Sequence, residues 1–146
     1  MEYQVSAGIV VYHKLDVLDA SPDKIEYLVL QYSAGHWDFA KGKLEKNETK
    51  EQAAVRELQE ETGLTDVPLD AGFVQSLEYE FKGYAGAPIH KTVFFFTGRS
   101  QKKEPIYLSR EHKNYAWLPY DEALKQLTYQ NAKDVLIAAH KFLAAK

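Results

Sequence analysis

Three carboxylates crowd one short stretch of this chain, Arg56-Glu57-Leu58-Gln59-Glu60-Glu61. On a helix turning about 100° per residue, Glu57, Glu60 and Glu61 fall within an arc of roughly 100°. Like charges four residues apart repel. The late position in the helix adds to the cost, because the C-terminal end already carries partial negative charge. Folding alone does not favour this arrangement, and a divalent cation relieves it. Hard oxygen donors of this kind suit magnesium or manganese, with phosphate oxygens and water completing the shell. The plain alternative is a solvated acidic face, since glutamate is a good helix former. The surroundings argue against it. Gly42, Glu48, Arg56 and Gly63 stand at fixed distances around the cluster, and Arg56 follows Glu48 by eight residues. Arg56 can therefore reach back across about two turns, pin the preceding loop and aim a backbone carbonyl at a metal. The chain has no cysteine, so any metal is held by oxygen or imidazole.

These residues need a helix, and the sequence supplies its boundaries. Thr49 is a good N-cap and Gln52 completes a capping box. Ala53, Ala54 and Leu58 give an apolar stripe, and Gly63 is a natural stop, so a helix is expected over about 50–62. Strands are expected over 3–13, 25–32, 73–81, 92–97 and 115–118, with a short extended piece at 36–40. Residues 14–24 and 42–48 read as polar loops, and Gly83, Gly86 and Pro88 mark a turn region. A helix begins near Asp121, and a later one carries the stripe Val135, Leu136, Ala139, Phe142 and Leu143. Strands, a central helix, more strands and a final helix point to one layered α+β domain over residues 1–146.

The chain's 146 residues are enough to bury about two thirds of the unfolded surface. Its 45% hydrophobic and 27% charged residues are those of an ordinary globular chain. A net charge of −3 argues against a partner of long nucleic acid, while leaving room for a small anionic substrate at a local site. The N-terminal stretch lacks the pattern of a signal peptide, and there is no long apolar run. A cytoplasmic setting and no membrane partner are the expectation.

The segment 42–64, GKLEKNETKEQAAVRELQEETGL, resembles the Nudix box. Gly42, Glu48, Arg56, Glu57, Leu58, Glu60, Glu61, Gly63 and Leu64 fill all of its specified positions. The resemblance implies the Nudix fold, an α/β/α sandwich around a central mixed sheet with a loop–helix–loop catalytic motif. It implies that Glu57, Glu60 and Glu61 hold Mg2+ (or Mn2+) with the Lys41 carbonyl, and that Glu48 and Arg56 brace the loop. The reaction it implies is hydrolysis of a phosphoanhydride bond in a nucleoside diphosphate derivative.

Outside the box, IEYLVLQYSAGHWDFAKGKLEKNE, LEYEFKG, HKTVFFF and LSREHKNYAWLPYDEALKQLTYQNAKDVLIAAHKFL resemble the asymmetric diadenosine tetraphosphate hydrolases. That resemblance implies cleavage to ATP and AMP. Tyr79 and Tyr129 fall where those enzymes sandwich an adenine. Lys41 and Lys91 fall where their cations meet polyphosphate, and His36 where a histidine approaches the phosphates. Glu111 matches a distant glutamate that joins the metal or acts as general base. Two departures stand out. Phe39-Ala40-Lys41-Gly42-Lys43 replaces the common Pro-Pro-Lys-Gly-His, and Lys46-Asn47 replaces Pro-Gly before the box glutamate. Trp37-Asp38-Phe39 is also similar to RNA 5′-pyrophosphohydrolases, which keeps triphosphorylated RNA or a nucleoside triphosphate as alternative substrates. A nucleotide-binding sensor without catalysis is the reading from another class; the intact set of glutamates weighs against it.

Overall fold

The computed structural model describes residues 1–16, 18, 21 and 24–146. Its elements are β1 (Glu2–Lys14), β2 (Ile25–Tyr32), β3 (Trp37–Asp38), β4 (Ala40–Lys43), α1 (Lys50–Thr62), β5 (Gln75–Lys82), β6 (Pro88–Arg99), β7 (His112–Pro119), α2 (Tyr120–Gln126) and α3 (Gln130–Ala144). The expected polar loop at 14–24 falls in part on Val17, Asp19, Ala20, Pro22 and Asp23, which lie outside the described residues.

β1 organises the sheet. One edge pairs in parallel with β6 from Glu2↔Ile89 to Tyr12↔Arg99. The other edge forks. Its first half pairs antiparallel with β4, from Ser6↔Lys43 to Ile9↔Ala40, and its last residues pair with β2, from Tyr12↔Tyr27 to Lys14↔Ile25. β2 goes on to pair with β3 and β7, and β5 closes the far edge against β6.

Alternation along the strands divides the apolar side chains between two cores. Ala7, Ile9 and Val11 pack with Ala53, Ala54 and Leu58 of α1. Val10 and Tyr12 face the other way, onto Val135, Leu136, Ala139 and Leu143 of α3. Each fully buried Leu or Ile side chain contributes about 1.5–3 kcal/mol relative to exposure. The result is the expected α/β/α arrangement around a mixed sheet.

α1 has the expected bounds, and its physics is local. The Thr49 side chain accepts from the Gln52 amide while the Gln52 side chain accepts from the Thr49 amide. Gly63 takes φ 81°, a left-handed conformation that glycine adopts without strain, and donates to the Gln59 carbonyl. Elsewhere the limits move. β6 starts four residues earlier than the apolar run at 92–97 and ends later, because the β1 ladder carries its polar residues too. The stretch at 36–40 resolves into β3 and β4, and β4 runs into the segment expected to be loop.

Candidate active site

The Glu57 carboxylate lies against the backbone of β4. A Cβ on Gly42 would coincide with that carboxyl group, so any other residue here would push the Glu57 carboxylate out of this position. Arg56 holds the loop between β4 and α1 from the side. Its Nε donates to Glu48 Oε2 at 2.7 Å, and its Nη2 donates to Glu48 Oε1 at 3.0 Å and to the Lys43 carbonyl at 2.9 Å. Its Nη1 donates to Glu57 Oε1 at 2.8 Å and to Glu60 Oε2 at 3.2 Å. The guanidinium hydrogen bonds hold the Glu48 carboxyl below its ordinary range, helped by the Glu45 backbone amide.

The three glutamates of the helix are not equivalent. Glu61 is 2% exposed, and neither of its carboxylate oxygens is in a well-aligned hydrogen bond, although the Lys41 amide and the Glu57 carboxyl lie close to them. Burial, then the adjoining Glu57 carboxyl and the charge of Glu111, push its pKa well above the carboxylate range; the Lys41 backbone amide pulls the other way. Glu57 and Glu61 thus converge beside the backbone at Lys41 and Gly42. Glu60 turns outward onto Arg56 with its side chain 56% exposed. Among the described residues no three His, Asp or Glu side chains close around a common point.

The turn before β7 brings further groups to this corner. The Ser109 amide donates to the Glu61 carbonyl at 3.2 Å, and the Tyr107 amide to the Thr62 carbonyl at 2.8 Å. Glu111 sits exposed at the tip of this turn, its carbonyl accepting from the Ser33 amide at 2.7 Å. Beside it, His112 Nε2 approaches Glu61 Oε1 at 3.3 Å, without the alignment of a hydrogen bond. Burial depresses the His112 pKa to about 4, with a smaller contribution from His36, and so keeps the ring neutral.

Across the opposite face of β4 runs a groove of about 580 Å³ lined by His36, Asp38, Lys41, Tyr79 and Tyr129, among others. Tyr79 comes from β5 and Tyr129 from the N-cap of α3. His36 stacks on Tyr32 with centroids 4.5 Å apart and lies 5.5 Å from the Tyr129 ring. Lys41 Nζ is 3.3 Å from Asp38 Oδ2. Lys91, half-buried on β6, has its amine pulled below its ordinary pKa by burial and then by the charges of Lys41 and Lys43. Among the described residues neither Lys43 nor Lys91 has a carboxylate in ion-pair range, so the cations gather by this groove with only Asp38 against them.

Each residue given a catalytic, metal or substrate role in the sequence takes a place at one of two adjoining regions. Glu48, Arg56, Glu57, Glu60, Glu61 and Glu111 belong to the acidic corner. His36, Lys41, Tyr79, Lys91 and Tyr129 belong to the groove or its cationic wall. Sequence reasoning missed Tyr32, which joins the two. Its ring stacks on His36 and lies 4.2 Å from His112, and its hydroxyl donates to the Phe39 carbonyl at 3.0 Å. Burial and then Glu61, Asp38, Glu111 and Glu57 drive its pKa upward, which shows how much acid surrounds it. Asp38 and His112 were missed as well. No spacing rule reaches across the turns that assemble them, though His112 follows Glu111 directly. Trp37 takes no place in the groove lining; its ring packs on the α3-side core, and its backbone exchanges hydrogen bonds with Thr128.

A family model for the NUDIX domain matches residues 3–139. The chain belongs to the Nudix family. This Nudix protein is 33% identical to the asymmetrical bis(5′-nucleosyl)-tetraphosphatase of Sus scrofa, over 96% of the chain and 95% of the relative. It is 32% identical to the enzyme of that name from Caenorhabditis elegans, over 95% of the chain and 96% of the relative. A crystal structure of a C. elegans Ap4A hydrolase binary complex superposes with TM-score 0.82 at 31% identity, covering 98% of this chain and 99% of that one. An RNA pyrophosphohydrolase from Sulfurovum is 30% identical over 77% of the chain and 78% of its own length. The protein is a Nudix hydrolase. Such enzymes work with divalent metals, and the residues here fit one: Glu61 presents two buried oxygens, neither in a well-aligned hydrogen bond, beside a second carboxylate, a donor set suited to a hard cation.

Proposed function

We propose that this hydrolase cleaves diadenosine tetraphosphate with water to give ATP and AMP, using magnesium. The observation that carries the reading is the groove in which Tyr79 and Tyr129 meet Lys41 and His36, next to the acidic end of α1. Aromatic stacking of a base is worth roughly 1–3 kcal/mol and tolerates different bases, so the tyrosines supply affinity for an adenine. Lys41, Lys43 and Lys91 neutralise the polyphosphate, whose negative charge in turn relieves their mutual repulsion. His36 orients a phosphate by hydrogen bonding.

Glu57, Glu60, Glu61 and the Lys41 carbonyl would hold the metal, with Arg56 and Glu48 keeping the loop in register. When bound, the metal lowers the pKa of attacking water and neutralises charge on the departing phosphate. Glu111, exposed at the tip of its turn beside the acidic corner, accepts the proton of the attacking water. One P–O bond forms, one anhydride P–O bond breaks, and the leaving phosphate takes the electron pair.

The test is incubation of the pure protein with magnesium and diadenosine tetraphosphate in oxygen-18 water, followed by chromatography and mass spectrometry. Equimolar ATP and AMP, with the label in one of them, are expected. Faster release of pyrophosphate from triphosphorylated RNA than of ATP from the dinucleotide would overturn the substrate assignment while leaving the hydrolase chemistry standing.

A further inference from the structure

We infer that His112 positions the Glu61 carboxylate for metal binding, through a hydrogen-bond relay that begins at the Glu111 backbone. This rests on the reading of Glu61 as a metal ligand. The Glu111 amide donates to Ser109 Oγ at 3.3 Å. In the inferred relay the Ser109 hydroxyl then donates to His112 Nδ1, 3.2 Å away. A neutral imidazole carries one proton, so with Nδ1 accepting, the proton sits on Nε2. Nε2 faces Glu61 Oε1 at 3.3 Å.

The imidazole side chain is fully buried and Glu61 nearly so. The ring packs on Tyr32, and the His112 amide is tied to the Ser109 carbonyl at 3.1 Å. By strict geometry neither His112 Nε2 nor Glu61 Oε1 is in a hydrogen bond, and the other groups near the Glu61 carboxyl are Glu57 and the Lys41 backbone, which lie toward β4 rather than toward the turn. A carboxylate that turns toward an ion keeps one oxygen for an outer partner, and the buried His112 Nε2, 3.3 Å away though not aligned here, would supply an N–H to it once the carboxylate turns. The same relay fixes the Glu111 backbone against the end of α1. A shift of the turn that carries Glu111 would therefore also shift Glu61.

The test measures magnesium binding to the nucleotide-free protein by titration calorimetry in wild type, H112F, H112Q, S109A and E61Q. H112F keeps a ring against Tyr32 but has no N–H; H112Q returns an amide N–H near the Nε2 position. H112F is expected to weaken the Kd roughly 10–100-fold, as loss of an outer partner does, with H112Q recovering most of it. S109A is expected to weaken it severalfold, and 15N spectra of wild type to show the proton on Nε2. A folded H112F with wild-type magnesium affinity overturns the inference. Should H112F fail to fold, an unchanged Kd in S109A together with a proton on Nδ1 overturns it. E61Q separates the two levels. If E61Q binds magnesium like wild type, the ligand reading itself is wrong; if E61Q loses binding and H112F does not, only the role of His112 falls.

Discussion

Arg56 grips Glu48 by two parallel N–H···O bonds, Nε to Oε2 at 2.7 Å and Nη2 to Oε1 at 3.0 Å, while its Nη1 reaches Glu57. One guanidinium thus ties the loop to a carboxylate of the acidic corner. A planar fork does this where a lysine cannot. E48Q is expected to lower kcat about tenfold to a hundredfold with a smaller change in KM, because the loop between β4, which carries Lys41 and Gly42, and α1 loses its brace. Steady-state kinetics on the dinucleotide check it.

The same pair makes stability depend on acid. The folded pKa of Glu48 lies below its ordinary 4.5, so the unfolded chain binds the proton first as pH falls. Its contribution is complete above that value and is lost as pH drops through the folded pKa. Melting temperatures of wild type and E48Q between pH 6 and 3 should therefore converge on acidification. Parallel curves would show that the pair does not stabilise the fold.

Glu61 has the opposite sign. Its folded pKa lies above the ordinary 4.5, so the metal-free folded protein holds a proton that the unfolded chain releases. Stability of the metal-free protein then declines as pH rises past 4.5 toward the folded pKa. E61Q removes the ionisable group and is expected to melt higher than wild type at pH 8 in chelator, with the gap closing toward pH 5. Magnesium should reverse the order. At 100 times its Kd a ligand stabilises by about 2.7 kcal/mol, a gain E61Q forgoes along with turnover. Scanning calorimetry with and without the ion decides this.

Asn47 stands at φ 66°, in the left-handed region that asparagine tolerates better than most residues and glycine better still. A left-handed backbone here gives a physical account of the Lys46-Asn47 departure noted in the sequence. N47G is expected to change stability by only a few tenths of a kcal/mol, while N47A lowers it by about 1 kcal/mol. Denaturant titrations of the two variants check the ordering; equal stabilities would remove backbone strain as the reason.

Lys43 adds a third cation beside Lys41 and Lys91. It stands two residues from Lys41 on the same face of β4, and its charge helps depress Lys91. K43Q is expected to raise KM for a tetraphosphate-bridged substrate severalfold with little change in kcat, and to flatten the dependence of kcat/KM on salt. An unchanged salt dependence would place Lys43 outside the polyphosphate path.

Where structure follows from neighbours in the chain, the sequence was readable. α1 has its expected limits because Thr49, Gln52 and Gly63 satisfy the helix ends locally. β2 likewise runs over the expected 25–32, its apolar run buried between two layers. The ends of β6 were not readable, since His90 and Lys91 are strand residues only because β1 lies beside them. The site divides in the same way. Gly42, Glu48 and Arg56 follow from spacing, whereas Tyr32, Asp38 and His112 gain their roles from the turns around β2 and β7. Helix periodicity put Glu60 on one arc with Glu57 and Glu61, but it could not foresee that Arg56 draws Glu60 outward.

The four residues of β4 separate two tasks by parity. Gly42 faces the Glu57 carboxylate of α1, while Lys41 faces the groove lined by His36, Tyr79 and Tyr129. Substitutions on the groove side can therefore redirect the choice of substrate and leave the bond-breaking apparatus untouched. A one-residue insertion in this strand would exchange the two sides and disable both tasks. Selection can thus diversify what such a protein consumes far more freely than how it consumes it.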